Sequence, residues 1–261
     1  MKIRTSIPNF WKRSCQVVLL LIVTLMLTMA MASCKGTLSG DENRVKKSNE
    51  KKAMKLLKVI HHDEGVDTEF EYDDKKRIVK VSTIFPREED EELNSFAVFN
   101  YIGDDLLEGF ERKGNTITVI ETNTTFTIDK AGHMIKRVDA PTDNSSGSEE
   151  IFEFQDGNMI KYTGIYSFGT AVRTVKYDDK YSIYNCNTPN WIFTYSPYLP
   201  FANNGSKNNE IEGTSTSAFD GSVAHGSYNY TYDDDGYPTY VEWGNEYGDS
   251  WYASFEYFET E

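Results

Sequence analysis

The sequence is short of the residues on which most protein chemistry is built. It has three cysteines and four histidines in 261 residues. Cys15 and Cys34 fall in or at the end of an N-terminal leader, so Cys186 is left without a partner and no intrachain disulfide is expected. As a nucleophile Cys186 would need a histidine and an orienting group nearby in space, and nothing in the sequence nominates them; a semi-buried structural thiol is expected. There is no Gly-x-Ser-x-Gly elbow, no phosphate-cradling glycine loop and no His-Glu-x-x-His. Carboxylates are plentiful, but no spacing singles out a glycosidase pair. Apolar residues at helical spacing are missing too, and no helix longer than two turns is expected after the leader. Basic residues are few: 27 against 41 acidic ones. Without the four in the leader, 23 remain against 41, a charge of −18 over 228 residues. That excludes the basic footprint of a nucleic-acid binder and docking by charge on anionic lipid; it suits solubility.

What is present begins with a targeting segment at residues 1–33. Lys2, Arg4, Lys12 and Arg13 make a basic start, and Val17 to Met31 is an uncharged apolar run. The run is shorter than the ~20 residues a spanning helix needs, and it ends at Met31-Ala-Ser-Cys34, which resembles the bacterial lipobox. Small side chains admit the signal peptidase, and the Cys34 thiol takes diacylglycerol, giving an anchor of palmitate type. The protein is therefore expected to be held on the membrane surface by its acyl chains without spanning it. No aspartate follows Cys34, so the outer membrane is expected, with the body on its periplasmic or its cell-surface face. Residues 34–55 are rich in Ser, Asn, Gly, Lys and Glu and read as a flexible tether; residues 56–261 read as one β domain.

The body repeats one motif. In Tyr230-Thr-Tyr-Asp-Asp-Asp-Gly-Tyr-Pro-Thr-Tyr-Val-Glu-Trp243 an alternating run, a turn of aspartates and glycine, and a returning run make a hairpin. Tyr228, Tyr230 and Tyr232 share one face. Cruder copies begin at Phe70, Phe99, Phe126, Phe152 and Val175. The turn aspartates 73, 104, 129, 156, 178 and 234 lie 31, 25, 27, 22 and 56 residues apart, the last gap close to two periods. The pattern aromatic-x-Tyr-Asp-x-x-Gly-x-(Ile/Leu)-x-x-Val resembles the YD-type hairpin repeat. Over roughly residues 55 to 261 the chain looks like lipoproteins of unknown function from gut Bacteroidota that carry such hairpins behind a lipidated leader. Tyr72-Asp73 and Tyr232-Asp233 match; Ile128-Asp129 and Phe154-Gln155 depart from it. The resemblance implies an antiparallel β body and brings no catalytic residues.

The expected fold is all-β, an antiparallel meander of hairpins in one large curved sheet or half-barrel; a β-propeller is the alternative, disfavoured by the uneven spacing. The segment 183–216 breaks the rhythm, with three prolines and six aromatics between Tyr184 and Phe201. Trp191, Phe193, Tyr195, Tyr198 and Phe201 offer flat apolar faces with polar tips and are the candidate binding residues, although core packing is the commoner fate of aromatics. His61-His62-Asp63-Glu64 is the densest group of metal-ligand types, but adjacent strand residues face opposite ways. Asp233-Asp-Asp-Gly236 lacks the ligand spacing of a calcium loop. No metal or cofactor is expected, and His133 and His225 are expected at exposed turns. The functional expectation is a lipid-anchored, non-enzymatic binding or interaction protein of the outer envelope, with a glycan or an envelope protein as ligand. A structural envelope component without a small ligand and an extracytoplasmic hydrolase are the alternatives.

Overall fold

The computed structural model describes residues 54–86, 93–142, 145–201, 203–245 and 248–258. The leader, Cys34 and nearly all of the tether lie outside the described residues. The described chain is all-β. Its first strands are β1 (Leu57–His62), β2 (Asp67–Tyr72), β3 (Ile78–Ile84), β4 (Ser95–Val98), β5 (Tyr101–Ile102) and β6 (Leu106–Leu107). There follow β7 (Phe110–Lys113), β8 (Thr116–Val119), β9 (Thr125–Ile128), β10 (Met134–Asp139), β11 (Ser148–Gln155), β12 (Asn158–Tyr166) and β13 (Gly169–Tyr177). After a helical turn α1 (Asn190–Tyr195) come β14 (Glu210–Thr216), β15 (Val223–Tyr232), β16 (Pro238–Asn245) and β17 (Ser250–Tyr257).

Fifteen of these strands make one antiparallel meander in the order β4-β3-β2-β1-β17-β16-β15-β14-β13-β12-β11-β10-β9-β8-β7. Because β1 pairs with β17, the order runs round the sequence as a ring, interrupted only between the edges β4 and β7. The hydrogen-bond ladder is not closed there. The small β5–β6 hairpin lies in the gap, where the Tyr101 hydroxyl donates to the Ile78 carbonyl at 3.0 Å. A sheet this wide curls, and its inner face encloses the core.

The turns at one end of the sheet follow a single rule. The amide of Asp73 donates to the carbonyl of Arg77 at 3.0 Å, while one Asp73 carboxylate oxygen accepts from the amides of Lys75 and Arg77. Asp129 does the same for Ala131 and His133, and Asp233 for Asp235 and Tyr237. The carboxylate thus closes the turn that the backbone cannot satisfy alone. The fourth residue of each turn has φ of +62° (Lys76), +86° (Gly132) or +88° (Gly236), which explains the glycine in two of the three copies. Asp156 and Gly157, both at positive φ, make a two-residue turn of the primed kind instead.

Asp178 opens the same turn and closes it far away. Its amide donates to the carbonyl of Asn209, and its carboxylate accepts from the amides of Lys180 and Asn209. Asn209 therefore stands where Arg77 stands in the first copy, with 27 residues inserted between. Taking them out shrinks the 55 residues between Asp178 and Asp233 to 28, one period rather than the expected two.

The insertion folds across this end of the sheet as a cap. Asn187 donates from its amide to the Lys76 carbonyl at 3.0 Å, Asn190 from its side chain to Ala131, Lys207 to Gly157, and Tyr181 to Gly236. Four turns are thus bonded to one segment. Its apolar side chains, with Trp191, Ile192 and Phe193 on α1, go into the core beside Phe70, Phe110, Phe126, Phe152 and Phe255. Each such side chain contributes about 1.5–3 kcal/mol by burial. The Trp191 indole N–H is satisfied by the Asp105 carbonyl at 3.0 Å.

The outer face is mainly charged and hydroxylated, with exposed apolar side chains such as Phe96, Ile165 and Tyr252 among them. Cross-strand pairs Lys58–Glu256, Lys80–Glu71, Lys136–Glu149, Lys161–Glu153 and Lys176–Glu212 are spread around it. Threonines 116, 118, 125, 127, 163, 170 and 174 lie between them on the same face. On a lipid-facing barrel each midplane lysine would cost about 2–4 kcal/mol.

Candidate functional site

With one end capped, the inner face remains open toward the other. Alternation and register assign the lining. Tyr228 opposes Trp243, Trp243 opposes Trp251, and Val241 and Ala253, both fully buried, mark their side as the inner one. Trp243, Trp251 and Tyr228 are nevertheless only partly buried. For a side chain pointing inward, that exposure opens onto the space the sheet encloses.

One wall of this cup is aromatic. Trp243 and Trp251 stack with centroids 6.0 Å apart and planes 15° from parallel. Tyr228 meets Trp251 edge-on at 6.0 Å, Phe201 of the cap meets it at 5.0 Å, and His62 stacks on Phe201. Room for these rings comes from glycine: a Cβ on Gly226 would lie 2.9 Å from the Trp243 Nε1. Burial pushes the Tyr228 hydroxyl up to about 12 and lowers the His62 imidazole, so both are neutral near pH 7.

The opposite wall, on β9 to β12, is a polar ladder. Thr124 and Ser148 donate to the two oxygens of Asp139 at 2.8 and 3.0 Å, and Arg137 bonds Asp139 while lying 3.7 Å from Glu150. The Tyr162 hydroxyl is 2.9 Å from Glu150 and 2.7 Å from the Tyr166 hydroxyl. Between the walls, on β13 and β14, Arg173 is paired with Glu210, whose carboxyl is raised by burial and pulled back by that arginine. The floor is the cap itself: Tyr195 packs edge-on to Phe110 and Phe126.

The five aromatics predicted to bind divide between core and cup. Trp191 and Phe193 are 1% and 6% exposed, inside the core. Tyr195, Tyr198 and Phe201 are partly buried, and Phe201 joins the aromatic wall. Tyr228, Trp243 and Trp251, which carry most of that wall, were missed as site residues; strand-interior glycines such as Gly226 and Gly164 were the signal that large side chains lie over bare backbone.

Other candidates resolve into local structure. His61 points outward, bonded to Asp67 at 2.8 Å, while His62 points inward and bonds Thr68. The Lys55 ammonium sits on Asp233 at 2.6 Å and Asp235 at 2.9 Å, in the turn that lacks the ligand spacing of a calcium loop. His133 is buried, contrary to expectation: its ring lies 4.3 Å from that of Phe154 and its Nδ1 bonds Asp129. His225 is exposed, as expected, but in β15 rather than in a turn. Among the described residues no group of three His, Cys, Asp or Glu side chains is placed to hold a metal. Cys186 lines a recess of about 290 Å³ between the cap and the turns. Its thiol is raised by burial and bonded to Thr188 at 3.3 Å, the setting of an inert thiol.

Fold and site together define an open antiparallel meander, capped at one end by an insertion in a repeat turn and with partly exposed inward side chains toward the other. No family model and no curated protein matches the chain. Among solved structures it is similar to a porin-like protein from Bacteroides vulgatus, with 12% identity over 79% of this chain and 100% of that one, at a TM-score of 0.43. A porin-like protein from Bacteroides uniformis gives 12% identity over 77% and 96%, at 0.39. Likeness this loose carries nothing about role.

Proposed function

We propose that the protein is a lipid-anchored, non-enzymatic binding protein of the outer envelope, held through Cys34, whose cup takes its ligand. The observation that carries this reading is the partly exposed aromatic wall of Trp243, Trp251, Tyr228 and Phe201 on an inward face, opposite a hydrogen-bonded polar ladder. A concave site with apolar faces and a few placed polar groups is the usual form of a ligand pocket. The chain joins the sheet at the capped end, where the Lys55 amide donates to the Tyr237 hydroxyl at 3.2 Å. A tether from Cys34 would thus enter the body at its capped end.

Two measurements test it. Cells expressing the full chain and fed labelled palmitate should label the protein, and Cys34→Ser should abolish the label; an unlabelled wild type ends the anchor. Glycan-array binding by the same chain should be lost on Trp251→Ala and kept on Lys176→Ala, which changes only the outer face. Binding insensitive to Trp251→Ala puts the ligand elsewhere.

A further inference from the structure

The two walls differ in what they can hold, and their charge narrows the ligand. We infer that the cup selects an uncharged oligosaccharide, seated with one face of a sugar ring on the Trp243–Trp251 wall and its hydroxyls toward the ladder of Asp139, Glu150, Tyr162 and Tyr166. This rests on the reading of the cup as a binding site and goes beyond it in naming the ligand class.

The aromatic wall supplies flat apolar surface with little conformational freedom to lose. The ladder supplies acceptors: a carboxylate offers about four lone-pair positions, and while Asp139 already accepts four hydrogen bonds, from Thr124, Ser148 and twice from Arg137, the bond Glu150 accepts from Tyr162 leaves some of its positions open. Hydroxyl groups can occupy those positions. A purely apolar ligand would cover the ladder without bonding it, leaving polar groups desolvated.

Charge then separates neutral from acidic sugars. The cup holds two arginines: Arg137 is paired with Asp139 and Glu150, and Arg173 is paired with Glu210 through one terminal nitrogen while its buried Nε–H has no hydrogen-bond partner among the described residues. Three carboxylates against two guanidinium groups leave one negative charge in excess. His62 adds no compensating charge, since burial lowers its pKa. The Arg173 Nε–H can donate to a ligand hydroxyl as well as to an anion, but a uronate or sulfate would add charge to a site with one carboxylate in excess, in a protein already strongly acidic.

The test is titration calorimetry on the full chain in detergent, using length-matched oligosaccharides: neutral glucans, mannans and xylans against oligogalacturonate and a sulfated galactan. A neutral member should bind, and the acidic ones should bind at least tenfold more weakly. Tyr166→Phe, which keeps the ring and removes one ladder hydroxyl, should weaken the neutral ligand about threefold. Glu150→Gln should narrow the gap between neutral and acidic ligands. Acidic ligands binding as well as neutral ones, with Trp251→Ala still abolishing binding, would overturn the neutral assignment and leave the cup as the site. Neutral binding unmoved by Trp251→Ala and Tyr166→Phe, or no saccharide bound by the folded chain, would overturn the inference.

Discussion

Two tryptophan clusters in this protein have nearly the same composition and opposite situations. Trp191 sits on α1 among Phe110, Phe126 and Tyr195, 1% exposed, with its indole N–H taken by a carbonyl. Trp243 and Trp251 sit on β16 and β17 among Tyr228 and Phe201, facing the same interior yet partly open to it. The first cluster seals one end of the sheet and the second lies on the inner face toward the other. Residue type does not distinguish a core from a binding wall; what closes over the ring does.

The sharpest way to break this contrast is to truncate one member of each. Trp191→Ala should cost about 3–5 kcal/mol, as expected for an aromatic removed from a packed core. Trp251→Ala, already partly hydrated, should cost about half as much or less, since only its buried share counts. Urea unfolding of the two variants under identical conditions measures both. Equal losses would mean that the cup is packed like the core.

Next in size is the ion pair between the clusters. Arg173→Met leaves Glu210, only 5% exposed, without its partner. Removing one partner of a buried pair costs about 3–5 kcal/mol, and the partial exposure of Arg173 reduces this to about 2–3. The deficit depends on pH in a definite direction. The folded-state pKa of Glu210 is raised from 4.5 by burial, and loss of the arginine raises it further. A carboxyl raised on folding favours the folded state below its unfolded pKa, and that advantage is lost as pH rises through the folded value. The variant should therefore be weakest at neutral pH and recover as pH falls toward 4.5, as thermal unfolding across that range would show. A deficit that grows in acid would contradict a buried Glu210.

Gly226→Ala tests the aromatic wall more gently. The added methyl meets the Trp243 Nε1 at 2.9 Å, and the ring must tilt. Overpacking of this kind costs about 1–3 kcal/mol, and tryptophan emission should shift as Trp243 leaves its place beside Trp251. Unchanged emission would show that the ring has room to spare.

Much of this architecture was legible in the residues. The inward face of Tyr228, Tyr230 and Tyr232 follows from period-two alternation, and their rings do lie in a row, 6.4 and 6.0 Å apart. The Asp-x-x-Gly turns follow from side-chain chemistry and positive φ. Other features depend on contacts remote in sequence. Nothing local says that Leu57–His62 pairs with Ser250–Tyr257. Nor does composition show that a proline- and aromatic-rich stretch goes inward, because an exposed loop and a cap draw on the same residues. His133 sits at a turn, but its burial depends on Phe154, on another strand. The Asp178 turn was misread because its closing residue lies 31 positions on.

The smallest expected effect bears on the capped end alone. Burial pushes the carboxyls of Asp73, Asp129 and Asp233 up. Hydrogen bonds and nearby charge from Arg77, His133 and Lys55, with the turn amides, outweigh it and hold all three below the ordinary 3.8. A carboxyl depressed on folding stabilises the fold above its unfolded pKa, and that stabilisation is lost as pH falls through the folded value. Acid should therefore loosen these turns below about pH 4. Asp73→Asn keeps an oxygen for the amides of Lys75 and Arg77 but removes the charge facing the Arg77 guanidinium, 2.6 Å away. It should cost about 1 kcal/mol at neutral pH and nothing further in acid. Hydrogen exchange reads the outcome residue by residue: the amides of Arg77, His133 and Tyr237 should lose protection with falling pH before that of His62, which donates to the Val66 carbonyl near the open end. Loss of protection at both ends together would mean that the cap and the mouth unfold as one unit, and the contrast between them would then be one of shape, not of stability.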